Sequence, residues 1–515
     1  MRYRPEIDGL RAVAVVPVIL FHAGVKALGG GFVGVDVFFV LSGYLITSII
    51  LQEKSAGTFT LAGFYERRAR RILPALFLVM ACCAPLAWLV MFPSELEGFG
   101  QSLVAVPLFV SNVLFWLQSG YFDAAVEQKP LLHTWSLAVE EQFYMAFPLL
   151  VLLVWRWRRE WLNHVVLTLA LASFLLCELG WRLKPSATFY LAPTRAWELL
   201  IGAACAIRLA SRPVECNTPL SLLGLLGIGA SIALFDKTTP FPSAYAMVPV
   251  LGTALIILFG GPGTLTYRVL SSRMLVGIGL VSYSAYLWHQ PLLAFTRLFA
   301  FDPKSLPLML AVSLLSFPLA YLSWRYVEQP FRRNRRNGAI RTRLGVLAVG
   351  TACSASFVAI GLYLHFTGGG ASRFDPETIQ LARSVEDIGR YRHCMKSGDA
   401  FGTTPEQVCR IGAPDARPDF VLLGDSHAGA IADELDRVAS EKGRAGWIVG
   451  VDACPPIIGA GSHWRGSREA CAKFQANIPE IVERLARLSP ASEEHRGSDS
   501  AKVLLRQRLQ QSRGD

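Results

Sequence analysis

Charge is scarce in this chain. Only 17% of its 515 residues are Asp, Glu, Lys or Arg, while 52% are hydrophobic; soluble domains carry about 25% charged residues. With a mean hydropathy of +0.38, that shortage excludes a soluble enzyme or a disordered regulator and makes this an integral membrane protein. Acidic residues are the scarcer kind, which leaves a net charge of +11. The excess does not make a nucleic-acid surface. It sits in short loops between apolar segments, as in Glu66-Arg-Arg-Ala-Arg-Arg71, Trp155-Arg-Trp-Arg-Arg159 and Phe331-Arg-Arg-Asn-Arg-Arg336, the distribution of cytoplasmic loops. A signal-peptide pattern is missing too. Glu6 and Asp8 spoil a basic leader and no small-x-small site follows the first apolar run, so that run is read as an uncleaved span. No cysteine or histidine spacing matches a metal site.

Twelve apolar segments are present, near 9–26, 32–52, 72–92, 99–117, 132–155, 161–180, 193–209, 219–236, 245–261, 274–298, 307–327 and 342–365. If all twelve cross, Trp155-Arg-Trp-Arg-Arg159 and every later basic loop fall outside. Asn112, Pro93 and Pro107 weaken 99–117 as a lipid-facing helix. With that segment re-entrant or packed on the bundle, eleven spans remain and all basic loops lie inside. The N-terminus is then cytoplasmic and the polar region after about residue 365 is exported. Its four cysteines, Cys394, Cys409, Cys454 and Cys471, suit two disulfides. Near-neighbour pairing, 394–409 and 454–471, is favoured among three connectivities.

Several polar residues interrupt the spans. Arg11 and His22 are eleven residues apart in the first, which places them on one helix face about 16 Å apart. An ionisable group at such depth costs about 2.5–3.5 kcal/mol and usually faces a bundle interior or a cavity. The bland alternative is a snorkelling Arg and a hydrogen-bonded His. The second segment, Gly34-Val-Asp36-Val-Phe-Phe-Val-Leu-Ser42-Gly43-Tyr44, puts Asp36 at the same membrane face as His22, whereas Ser42 and Gly43 suit close helix packing. His133-Thr-Trp-Ser-Leu-Ala-Val-Glu140-Glu141-Gln-Phe-Tyr144 carries two consecutive carboxylates, of which at least one must meet a partner or a cavity. Arg195 and Glu198, at i and i+3, suit a self-satisfied pair. Ser282-Tyr-Ser-Ala-Tyr-Leu-Trp-His289-Gln-Pro291 adds a histidine at the outer side. The polarity suggests a path in which a phosphate-rich carrier docks on cytoplasmic arginines and acid–base chemistry runs deeper in the bundle. Beyond the membrane, Asp419-Phe-Val-Leu-Leu-Gly424-Asp425-Ser426-His427 reads as a strand, a turn and a helix start, with Ser426 either an exposed nucleophile or an ordinary cap.

These motifs, with Phe64-Tyr-Glu-Arg-Arg-Ala-Arg-Arg-Ile-Leu-Pro74, Arg195-Ala-Trp-Glu-Leu199 and Tyr326-Val-Glu-Gln-Pro-Phe-Arg-Arg333, fall in order over about residues 5–335. Over that stretch the chain resembles the acyltransferase-3 family of membrane O-acyltransferases, and its tail resembles the start of the SGNH/GDSL hydrolase-like domain often fused to them. The resemblance implies transfer of an acyl group, usually acetyl from cytoplasmic acetyl-CoA, to a carbohydrate of the bacterial envelope, with no permanently bound cofactor. It implies roles for Arg11 and His22 in acyl transfer, with His22 a base or transient acyl acceptor. Arg67, Arg68 and Arg71 would engage the donor, and Glu140 and Glu141 belong to the active bundle. Asp36, Ser42, His133, Tyr144, Arg195, Glu198 and His289 support it.

The expected architecture is a polytopic α-helical bundle of about eleven spans plus one packed segment, followed by a partial α/β domain. Its divisions are a membrane domain over 1–335, a basic loop and last span over 336–370, an exported extension over 371–417, a partial SGNH-like domain over 418–484 and a disordered or non-native-like tail over 485–515. The tail departs from the hydrolase pattern. None of the nine histidines has an Asp three residues before it, so Ser426 lacks the usual Asp-x-x-His base. The expected partners are the bilayer of an inner membrane, acyl-CoA, an envelope glycan (O-antigen, exopolysaccharide or peptidoglycan) and a separate SGNH-like protein, but no nucleic acid. The rival readings are a transporter with an ion relay, which lacks any sign of inverted repeats, and a tethered exported esterase.

Overall fold

A computed structural model describes residues 3–119, 126–300, 305–332, 342–375, 379, 391, 394, 409–451, 454–457 and 468–488. The chain forms two compact units, Met1–Ala371 and Ser372–Asp515. The helices of the first are α1 (Pro5–His22), α2 (Gly34–Ser55), α3 (Leu61–Val90), α4 (Pro93–Ala105), α5 (Ser111–Leu117), α6 (Thr134–Trp157), α7 (Leu162–Leu183), α8 (Pro185–Tyr190), α9 (Ala192–Ser211), α10 (Thr218–Leu234), α11 (Met247–Phe259), α12 (Leu265–Leu270), α13 (Arg273–Phe299), α14 (Leu306–Ser323), α15 (Gln329–Arg332) and α16 (Arg343–Phe366). Each apolar segment apart from 99–117 coincides with one helix, the shortest being the 13-residue α11. Among the described residues six stretches are long and apolar enough to cross a membrane: Gly31–Ser55, Leu61–Val90, Thr134–Trp157, Arg159–Leu183, Leu306–Arg332 and Arg343–Phe366. The protein is therefore a multi-pass helical membrane protein.

Segment 99–117 is broken. It enters α4, turns at Phe109 with φ 56°, and resumes as the seven-residue α5, which rises only about 10 Å. Side-chain bonds tie α5 to its neighbours. Asn112 donates to the Tyr190 carbonyl at 3.2 Å, Gln142 of α6 donates to the Asn112 side chain at 2.9 Å, and Ser111 donates to the Thr134 carbonyl at 3.0 Å. A lipid-facing helix has no use for such bonds.

Small residues bring other helices together. A Cβ on Gly43 would lie 1.8 Å from the Leu199 carbonyl oxygen, and one on Gly202 would lie 1.9 Å from that of Val40. So α2 and α9 touch backbone to backbone, the contact by which small residues replace the hydrophobic effect between membrane helices. Arg4, just ahead of α1, clasps three elements by bonding Glu6 at 2.6 Å, the Tyr44 hydroxyl at 2.9 Å and the Ile257 carbonyl at 3.0 Å.

The described part of the second unit is a three-stranded sheet in the order β1 (Cys409–Gly412), β3 (Ala445–Gly450), β2 (Pro418–Gly424). β2 and β3 are parallel and β1 is antiparallel to β3. α17 (Ser426–Glu441) links β2 to β3, and α18 (Arg468–Leu488) follows. Two expected boundaries are corrected. β1 lies within the supposed extension 371–417, because Ile411 is buried in the same core as Ile448 and Ala432. α18 runs past 484, because Phe474, Ile481 and Leu485 repeat at helical spacing and are buried together. The disulfides join Cys394 to Cys409 and Cys454 to Cys471. Residues 489–515, most of the expected tail, lie outside the described residues.

Candidate active site

A cavity opens among α1, α2, α3, α6 and α13. Its charged end is built by Arg11, Arg68, Arg71, Glu140 and Tyr144, with Ser42 beside them. Helical spacing explains the grouping. Arg68, Arg71 and Ile72 are i, i+3 and i+4 on α3, and Glu140 and Tyr144 are i and i+4 on α6. The Arg68 guanidinium stacks 5.2 Å over the Tyr144 ring, and the Tyr144 hydroxyl donates to Glu140 Oε2 at 3.1 Å. Arg11 contacts Asp8 at 3.4 Å. The walls are apolar: Val35, Phe38, Leu41 and Leu45 of α2, Ile72, Leu137 and Leu287. From Leu45 to Val35 the α2 wall extends about 15 Å.

The far end is closed by two residues that sequence reasoning did not single out. Ser136 Oγ and the Tyr286 hydroxyl are 2.7 Å apart, joining α6 to α13, and the Tyr286 hydroxyl donates to the His133 carbonyl at 3.0 Å. One helical turn further along the same two helices stand His133 and His289. The His289 ring centroid is 5.2 Å from that of His22 and 5.5 Å from that of His133. So the three histidines read separately from three segments form one cluster, one turn beyond the cavity. The signal was available: Ser136 is three residues after His133 and Tyr286 three before His289, each on the same helix face.

Hydrogen bonding orders the protons in this cluster. His289 Nδ1 lies 2.5 Å from the Tyr286 carbonyl, which can only accept, so Nδ1 carries the hydrogen. In the neutral ring Nε2 is then an acceptor, and His22 Nδ1 sits 3.2 Å from it. His22 Nδ1 is the donor, which leaves the His22 Nε2 lone pair free. Arg297 fixes the backbone here by donating to the carbonyls of His22 and Glu127. Both ring nitrogens of His133 are buried without a hydrogen-bond partner.

Other expected members lie elsewhere. Asp36 does not join His22. It faces α9, where Arg195 donates to Asp36 Oδ1 at 3.0 Å and to Glu198 Oε2 at 3.2 Å. All three side chains are at most 1% exposed. The guanidinium also lies within 6 Å of the rings of Phe39, Trp135, Phe189 and Phe241. Arg67 does not line the cavity either. It is half exposed and paired with Glu53 at 2.7 Å, because it turns to the flank of α3 facing the end of α2. Glu141 is buried beside the cavity rather than lining it, with Oε1 unpartnered. Ser426 opens α17. Asp425 caps that helix through the His427 amide and also bonds His427 Nδ1, both at 2.9 Å. Among the described residues no imidazole is hydrogen-bonded to Ser426, and no group of His, Cys, Asp or Glu is arranged to hold a metal ion.

A helical bundle that gathers three half-buried arginines around a cavity, with a histidine cluster one turn beyond it, defines a multi-pass membrane protein with an internal polar chamber. Comparison with known proteins gives that class a family. Residues 4–325 match the acyltransferase domain model of the acyltransferase-3 family, and residues 393–491 match the SGNH domain that is fused to such domains. The chain belongs to the acyltransferase-3 family. The second match begins well before residue 418, in agreement with β1 as part of that domain. Similar proteins include the peptidoglycan O-acetyltransferase OatA of Listeria monocytogenes, 35% identical over 65% of this chain and 56% of the relative. Another is the O-acetyltransferase OatA of Staphylococcus aureus strain NCTC 8325, 32% identical over 64% of this chain and 58% of the relative. The matches thus span less than three fifths of these relatives. No solved structure matches the chain.

Proposed function

We propose that the protein is a membrane O-acetyltransferase of the bacterial inner membrane. In this reading it takes an acetyl group from cytoplasmic acetyl-CoA and passes it to a hydroxyl of an envelope carbohydrate, with peptidoglycan favoured by the names of the relatives. The N-terminus is cytoplasmic and the second unit lies outside, as the basic loops suggest. The observation that carries the reading is the continuous series formed by the arginine end, the apolar walls, the Ser136–Tyr286 closure and the His22 cluster.

Arg11, Arg68 and Arg71 bind donor phosphates, for which the guanidinium fork is well shaped. The donor's flexible arm lies along Leu45, Leu41 and Phe38 toward Tyr286, and the Ser136–Tyr286 hydrogen bond opens to admit the thioester to His22. His22 Nε2, left unprotonated by the His289 contact, takes the proton of the acceptor hydroxyl as its oxygen adds to the thioester carbonyl. The C–S bond breaks, and the departing thiolate takes the proton from the imidazolium. Transfer is direct or goes by way of a separate hydrolase-like protein, since Ser426 has no base bonded to it among the described residues. In cells, His22→Ala at equal protein level is expected to abolish alkali-released acetate on envelope polysaccharide, and His289→Phe to lower it. Unchanged acetate in His22→Ala would remove His22 from the reaction.

A further inference from the structure

A second concave site lies away from this chamber and plays no part in the proposed transfer. It is a groove between α7, α9 and α11. One end is polar, with Arg208, Ser211 and Arg212 from the last turn of α9 and the residue after it, and Asn163 from the first turn of α7. The rest is apolar, through Leu167, Ile201, Ala204 and Leu258, over a floor that includes buried Cys205. From Ile201 to Arg212 the groove follows α9 for about 16 Å. Arginines in a membrane bundle usually find carboxylates, as Arg67, Arg70, Arg195 and Arg343 do here. Arg208 donates to the Arg212 carbonyl at 3.1 Å, and among the described residues neither Arg208 nor Arg212 has a carboxylate within ion-pair distance.

Two cations without carboxylates at the mouth of an apolar cleft match a phosphodiester head joined to an acyl chain. Simple snorkelling explains arginines at a helix end, but not a cleft behind them that reaches a second and a third helix. We infer that this groove binds an anionic phospholipid, with its phosphate between Arg208 and Arg212 and an acyl chain along Leu167, Ile201 and Leu258. Basic pockets between membrane helices bind anionic headgroups through this combination of charge and burial.

The test uses the purified full-length protein in neutral detergent, incubated with phosphatidylglycerol, phosphatidylcholine or glycerol 3-phosphate, with bound lipid counted by native mass spectrometry. Phosphatidylglycerol is expected to be retained about tenfold better than phosphatidylcholine, a preference erased by Arg208→Gln with Arg212→Gln. Leu258→Trp, which fills the apolar part and keeps both charges, is expected to lower phosphatidylglycerol retention and also serves if the double variant does not fold. Equal retention of the two lipids overturns the inference, as does an undiminished preference in the double variant or in Leu258→Trp. Displacement of the lipid by equimolar glycerol 3-phosphate would assign the site to a free phosphate ester and overturn it too.

Discussion

The bundle holds two kinds of inward-facing arginine. Arg195 is closed in: carboxylates of Asp36 and Glu198 accept from it, four aromatic rings surround it, and it is 1% exposed. Arg11, Arg68 and Arg71 share a cavity instead, and Arg68 rests on a tyrosine face rather than in a carboxylate fork. Both arrangements put ionisable groups where a membrane protein can ill tolerate them. The difference is where the compensation comes from. In the first it is supplied within the fold, and the result is a joint between α2 and α9. In the second no carboxylate fork among the described residues closes on the arginines, and in the proposed reaction the acyl donor supplies the anion.

The largest effect that would break this comparison lies at the closed site. Arg195→Ala strands two buried carboxylates, a loss of about 3–5 kcal/mol, and is expected to abolish folded protein in detergent gel filtration. Asp36→Asn, Arg195→Met and Glu198→Gln together remove the charges and are expected to restore the folded peak. If Arg195→Ala folds normally, the closed site is not a structural joint. A far smaller effect is expected at Arg67, whose exposed pair with Glu53 contributes about 0–1 kcal/mol. Arg67→Gln should change the KM for acetyl-CoA less than about twofold, and a tenfold rise would return Arg67 to the donor site.

Most of the helices were legible in the sequence, because apolar runs bounded by basic loops have few other interpretations. The interruption at 99–117 could be read as well, from Asn112 and the flanking prolines, although the turn at Phe109 could not. Within the site, Arg68, Arg71, Glu140 and Tyr144 were found by motif and share the cavity. The partner of Asp36 could not be read, because depth in the membrane is set by sequence position, whereas partner choice depends on which helix packs alongside. Its partner Arg195 is 159 residues away, and the backbone contacts of Gly43 with Leu199 and of Gly202 with Val40, which bring α2 against α9, are a tertiary fact. Arg67 was grouped with Arg68 and Arg71 by the family motif, yet consecutive helical residues turn by about 100°, and Glu53 waits on the other flank. The Ser136–Tyr286 closure was missed because neither hydroxyl is unusual alone. In the second unit, strand β1 hid in a polar stretch, since its four residues are too few for a pattern.

The central claim is that the open arginines bind the acyl donor and the closed one does not. It is tested most directly by titrating acetyl-CoA into purified protein by calorimetry, comparing Arg68→Gln with Arg71→Gln against the neutralised triple variant at positions 36, 195 and 198. The paired cavity variant is expected to lose about tenfold or more in affinity, as two charge-assisted contacts to phosphate imply, while the triple variant binds as the wild type does. Wild-type affinity in the cavity variant, or a matching loss in the triple variant, would contradict the claim.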